Sequence, residues 1–153
     1  MNYQVSSNKS RLNIELIHEF ISGTYWAKEI PIEIMRRAIQ NSLCFGVYNE
    51  QSEQVGFARV ISDFATFGYL ADVFILQAHR GRGLSKILLT EIMAHPDLQN
   101  LRRFCLATAD AHTLYQQFGF SALTAPETMM EIRVADIYTQ TASRCRIQRF
   151  TGA

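Results

Sequence analysis

LADVFILQAHRGRGLSKILLTEIM, residues 70–93, is the stretch whose reading decides the fold. Residues 70–76 are apolar apart from Asp72, as expected of a central strand covered on both faces. Residues 77–83 crowd two glycines and two arginines into a turn. From Leu84 the apolar positions Leu84, Leu88, Leu89, Ile92 and Met93 recur at helical spacing. A helix entered through such a turn directs unpaired N–H groups, and the positive end of its dipole, at whatever lies in front of it. Gly81 and Gly83 let a ligand reach the backbone without meeting a Cβ, and Arg80 and Arg82 add positive charge. The stretch therefore reads as strand, anion-binding turn and helix, with phosphate as the anion it suits best.

Two phosphate-binding patterns are excluded. A P-loop needs Gly-Lys-Ser/Thr after its spacer, and here Gly83 is followed by Leu84, Ser85 and Lys86. The dinucleotide fingerprint G-x-G-x-x-G would require glycine at Lys86. What remains is R-x-x-G-x-(G/A), read over Arg80, Gly81, Arg82, Gly83, Leu84 and Ser85.

Outward from this centre the pattern is one of alternating short elements. Residues 3–6 suit a short first strand. Asn13 opens a helical pattern with Ile14, Ile17, Phe20 and Ile21 on one face, and Gly23 stops it. A link carrying Tyr25 and Trp26 leads to Pro31, placed for the first turn of a second helix with Ile32, Met35, Ala38 and Ile39 inward. Residues 43–48 and 54–61 read as a hairpin, and Phe67 starts a third strand of the meander. After Pro96, residues 103–108 form a strand. A helix joins it to the central strand, so the two should be parallel, with a right-handed crossover. Residues 112–118 read as a short helix closed by Gly119. Residues 121–123 and 129–134 are candidate final strands, and 138–153 a polar tail after a single domain over 1–137.

Composition bounds the function. A chain of 153 residues is the size of one domain with a proper core. A formal net charge of +1 gives no reason to expect a nucleic-acid or membrane partner. No apolar run approaches the roughly 20 residues of a membrane span, and MNYQVSSNKS lacks a signal-peptide core. Cys44, Cys105 and Cys145 are far apart and odd in number, which suits free thiols in a reducing cytoplasm. His18, His79, His95 and His112 show no ligand spacing with them, so no metal is expected.

A second motif, AHTLYQQFGF (residues 111–120), places Leu114 and Phe118 on one helical face, with Gly119 at the C-cap. Together the two motifs resemble the GNAT superfamily of acetyl-coenzyme A-dependent N-acetyltransferases. The first is similar to its pyrophosphate loop and the second to its A-x-x-L-Y-x-x-x-G-F segment. Two positions depart from the pattern: Ser85 stands where Gly or Ala is usual, and Thr108 where Asn is frequent. The resemblance is firm over residues 38–120 and extends to the first two helices through their order. It implies an α/β fold, with a mixed, mostly antiparallel sheet flanked by helices.

The resemblance also implies a chemistry: transfer of acetyl from acetyl-coenzyme A to a primary amine, on a small molecule or a peptide, by direct attack in a ternary complex. Amides near Phe74 and Ile75 would hold the oxyanion and the pantetheine arm, between splayed fourth and fifth strands. Tyr115 would protonate the leaving thiolate. Asp72 reads either as the base that deprotonates the amine or as a structural carboxylate, and water alone could also serve. Tyr25 and Trp26 would wall the acceptor site, or else pack the sheet. Arg59 and Asp63 lie near a strand end that could border the same cleft. A coenzyme A-binding sensor without catalysis and a transferase of another acyl group are the competing functions. A homodimer is compatible with a compact domain of this size.

Overall fold

In the computed structural model of the protein, residues 2–140 are described. The elements follow in the order β1 (Gln4–Ser6), α1 (Ile14–Ser22), α2 (Ile32–Gln40), β2 (Leu43–Tyr48), β3 (Gln54–Ser62), β4 (Phe67–Ile75), α3 (Leu84–Ala94), β5 (Arg103–Leu106) and α4 (His112–Gln116). The five strands form one sheet in sequence order, antiparallel except for the β4–β5 pair, which is parallel across the α3 crossover.

Local chemistry sets the element ends. The Asn13 side chain accepts a hydrogen bond from the Leu16 N–H and starts α1, while Gly23 ends it. Pro31 stands just before α2, one position earlier than its expected place in the first turn. The turn between β3 and β4 is organised by Asp63, whose carboxylate accepts from the backbone N–H groups of Ala65, Thr66 and Phe67 and from the Thr66 hydroxyl. Those donors hold its carboxyl well below the usual carboxylate range. Asp63 is thus a turn-forming group, which accounts for its place in the sequence without an acceptor cleft.

The sheet divides two apolar layers. On one face Phe45, Val60, Leu70 and Ile75 pack with Leu84, Leu88, Leu89 and Ile92 of α3 and with Tyr115 of α4. On the other, Cys44, Phe57 and Phe74 pack with Ile17 and Ile21 of α1 and Met35 and Ile39 of α2. Burial pushes the Cys44 thiol up to about 11, so it remains a neutral, inert filler of the second layer.

Two expected elements are absent. Residues 121–123 and 129–134 form no strand. A cavity of about 500 Å³ lies between β5 and the returning chain, so these segments find no backbone partner along the β5 edge. The short helix also ends earlier than its apolar spacing suggests, at Gln116, before the left-handed Gly119. Of the tail, Tyr138 packs against the α1–α2 layer, and residues 141–153, Cys145 among them, lie outside the described part.

Tyr48 lies against Gly46 in β2, where a Cβ would collide with the phenol ring and hydroxyl. The ring is buried under the Arg11 guanidinium, 4.1 Å from its centroid, and its hydroxyl has no hydrogen-bond partner among the described residues. Gly46→Ala should therefore lower stability by about 1–3 kcal/mol through overpacking. Tyr48→Phe, which removes the unsatisfied hydroxyl, should be neutral or stabilising. Urea unfolding midpoints of the two variants check both signs.

Candidate active site

The site begins with a fault in β4. Phe57 pairs with Phe74 and Arg59 with Ala71, so Ala58 alone faces the two residues Asp72 and Val73. Asp72 takes the left-handed conformation, with φ of 54°. This is a β-bulge, and it shifts the strand's phase by one residue. Leu70 points into the α3 layer, yet Phe74, four residues on, points into the α1–α2 layer. In an unbroken strand the two would share a face.

Side chains hold the bulge in place. Arg59 donates from Nε to Oδ2 of Asp72 in an ion pair that is largely shielded from solvent. Its Nη1 donates to the Ser42 hydroxyl at 3.1 Å, and that hydroxyl donates to the Ala38 carbonyl. The Trp26 indole N–H donates to Oδ1 of Asp72 at 3.0 Å. Both carboxylate oxygens are thus engaged, one by strand β3 and one by the α1–α2 link. This arrangement gives Asp72 a structural task, joining β3 and the α1–α2 link to β4. Trp26 and Tyr25 pack edge to face and remain 47% and 74% exposed, so they are not packing for the sheet.

Beyond the bulge the sheet opens. The β4–β5 register runs from Phe67–Arg103 to Leu70–Leu106 and stops there. Over its last five residues β4 therefore has no strand on the β5 side. The pairing ends with β5 itself at Leu106, two residues before the bulge at Asp72 on the β4 side. Phe74 is fixed by a stacked contact with Phe20, with ring centroids 3.9 Å apart.

The Gly-Arg turn follows directly. Gly81 and Gly83 have φ of 74° and 75°, and a Cβ built at either would meet nothing within 4 Å. Gly83 is the N-cap of α3, and no side chain caps that helix. Leu84 is buried beneath the turn and Ser85 occupies the first helical turn, so Ser is tolerated where Gly or Ala is the expectation. Arg80 folds back, its Nε donating to the Ile75 carbonyl at 2.9 Å and tying the turn to the end of β4. Arg82 donates from Nη1 to the Tyr3 hydroxyl at 3.2 Å, and that hydroxyl lies 3.0 Å from Nδ1 of His79. The open backbone at the two glycines and the uncapped helix suit a diphosphate group.

Tyr115 lies in α4, 8% exposed, with its ring edge to face against Phe120. Burial, and then the nearby Asp110 charge, raise its pKa, so the phenol stays protonated through neutral pH. It shares the α3 layer with Leu70 and Leu84, which join it to the strand and helix that flank the opening. Thr108 acts locally, its hydroxyl accepting from the Ala111 N–H ahead of α4. Among the described residues no cluster of three or more His, Cys, Asp or Glu could hold a metal. No helix among them is long and apolar enough to cross a membrane.

Residues 40–122 match the family model of the acetyltransferase (GNAT) domain. A candidate acetyltransferase from Gibberella zeae is 34% identical over 136 residues, covering 74% of this chain and 75% of that protein. Among solved structures, a candidate GNAT acetyltransferase from Xanthomonas campestris pv. campestris is 53% identical, with a TM-score of 0.89 over 92% of this chain and 99% of that one. Glucosamine-6-phosphate N-acetyltransferase from Arabidopsis thaliana, 16% identical over 89% of this chain and all of that one, shares the fold with a TM-score of 0.61. The chain belongs to the GNAT family of acetyltransferases, and transferase activity is the class of function these relationships support.

The part of the site that sequence reasoning misses is the Arg59–Asp72–Trp26 connection. Its one signal is Arg59, a lone cation in an apolar strand. Asp72→Ala should lower stability by about 3–5 kcal/mol, because it leaves the Arg59 guanidinium without its countercharge. It should also shift the emission of Trp26, the single tryptophan of the chain. An unchanged unfolding midpoint and unchanged emission would show that the latch carries nothing.

Proposed function

We propose that the protein is an acetyl-coenzyme A-dependent N-acetyltransferase that acetylates a primary amine, on a small molecule or a peptide, by direct transfer in a ternary complex. The observation that carries the reading is that β4 runs on beyond the end of its pairing with β5 at Leu70 and Leu106, through a bulge, into the uncapped N-terminus of α3. When bound, acetyl-coenzyme A supplies an activated acetyl group as a thioester.

The chain's own residues would divide the work. The backbone N–H groups of Gly81, Arg82, Gly83, Leu84 and Ser85 would receive the diphosphate, with the α3 dipole and the Arg82 charge in support. Arg80 would act in part through the turn, by holding it to Ile75. The β4 backbone around Phe74 and Ile75 would donate N–H groups to the pantetheine arm and to oxygen as negative charge builds there. Tyr115 holds its proton at Oη through neutral pH and would give it to the departing sulfur. Asp72 keeps the bulge in shape and Trp26 in place, and deprotonation of the amine would fall to water. Tyr25 and Trp26, exposed on the α1–α2 link, would border the acceptor. Localisation in the cytoplasm fits the free, buried Cys44 thiol.

Two variants test the reading. Tyr115→Phe should lower kcat about 10²–10⁴-fold while acetyl-coenzyme A affinity, measured by calorimetry, stays close to native. Full turnover in that variant would remove Tyr115 from the chemistry and favour a coenzyme A-binding module. Gly83→Val should weaken acetyl-coenzyme A binding at least tenfold, because a β-branched residue resists positive φ and its side chain would stand in front of the helix. Native-like binding in Gly83→Val would contradict the turn as the diphosphate site. Titration with acetyl-, succinyl- and free coenzyme A distinguishes the acyl group.

A further inference from the structure

Arg82 stands between two joints that nothing local stiffens. Gly81 and Gly83 both take the left-handed conformation, and no side chain caps α3. An arginine side chain has many rotamers, and fixing it on a ligand costs affinity unless it is held beforehand. Arg80, the other arginine of the turn, is moored close by, on the Ile75 carbonyl. Arg82 is moored from a distant part of the sequence, on the hydroxyl of Tyr3.

Tyr3 is itself held in place. It precedes β1, whose Gln4 pairs with Tyr48 of β2, and the Asn2 N–H donates to Oε1 of Glu50 at 2.6 Å. The Tyr3 ring packs, partly buried, against the α3 layer and meets the His79 ring edge to face, with centroids 5.9 Å apart. Its hydroxyl lies 3.0 Å from Nδ1 of His79 and 3.2 Å from Nη1 of Arg82. A guanidinium can only donate, so the hydroxyl accepts from Arg82 and has its own proton to give to Nδ1. The ring proton of His79 then sits on Nε2. Hydrogen bonds in such a chain polarise one another, and the Arg82 charge strengthens the first of them. His79 is fixed in turn, its backbone N–H donating to the Leu76 carbonyl at 2.9 Å. Tyr3 thus grips the turn at two points, His79 before its first glycine and Arg82 after it.

We propose that Tyr3 is a positioning residue for the coenzyme: with His79 behind it, Tyr3 holds the Arg82 guanidinium ready at the diphosphate turn. The proposal rests on the reading of that turn as the coenzyme site. Tyr3 acts through Arg82 and not by touching the phosphates. A guanidinium carries several N–H donors in a planar fork, so the bond to Tyr3 leaves it able to meet an anion as well. What Tyr3 contributes is preorganisation, because the rotamer of Arg82 is chosen before the ligand arrives. A residue beside β1, remote in sequence from both motifs, thereby sets how tightly the diphosphate is held.

Calorimetric titration with acetyl-coenzyme A tests this on the native chain, Tyr3→Phe, Arg82→Gln and the double variant. Phenylalanine keeps the ring and its packing and removes only the hydroxyl, so the urea unfolding midpoint of Tyr3→Phe should stay close to native. Its binding should weaken about five- to tenfold, the worth of one hydrogen bond. Arg82→Gln should lose at least as much. The double variant should bind like Arg82→Gln alone, because Tyr3 has no other route to the ligand. A purely structural loss would instead add to that of Arg82→Gln. Native affinity in Tyr3→Phe, or additive losses in the double variant, would overturn the positioning role and leave the coenzyme reading standing. A native chain that binds no acetyl-coenzyme A would bring down both.

Discussion

The ion pair between Arg59 and Asp72 is the constraint on which the rest of the site depends. An aspartate at φ of 54° inside a strand is an unfavourable conformation, and it persists only where the surroundings over-determine it. Arg59 from β3 and Trp26 from the α1–α2 link supply that determination, one on each carboxylate oxygen. The result is a phase shift that sends Phe74 to one layer and leaves Ile75 in the other. The same shift comes two residues after the end of β4–β5 pairing. The bulge therefore sets the side-chain phase of β4 just where that strand is left without a neighbour on the β5 side.

That connection also links the two halves of the candidate site. The Gly-Arg turn belongs to the α3 side and is tied to β4 through Arg80 and to the N-terminal segment through Tyr3. The aromatic pair Tyr25 and Trp26 belongs to the α1–α2 side and is tied to β4 through Asp72. Strand β4 is the common support. A ligand that enters along it meets groups held from both layers, so positioning rests on rigid elements rather than on loops alone.

Much of this is legible in the residues themselves. The meander from Leu43 to Ile75 follows from apolar alternation between polar turns, and α3 follows from its unbroken stripe after Gly83. The turn can be read because glycine and a helix start have a direct physical meaning. The bulge cannot, because it depends on Arg59 pairing across the sheet with Asp72, thirteen residues on in sequence. Asp72 alone suggests a base, and its two partners, far away in sequence, give the carboxylate a structural task that the sequence does not reveal. The last two expected strands fail for a related reason. Residues 129–134 have the alternation of a strand, but alternation reports a capacity to pair, and the partner has to come from elsewhere in space. Asp63 suggests a cleft residue by position alone, while its side chain gathers three backbone N–H groups in a turn.

The most direct measurement is an amide-resolved NMR titration of the native chain with acetyl-coenzyme A. If β4 and the α3 turn form one coenzyme site, perturbations should concentrate at residues 73–75 and 81–85 and saturate together with a single affinity, with the Tyr115 region following them. Perturbations scattered elsewhere, or no saturable change at residues 73–75 and 81–85, would contradict the account.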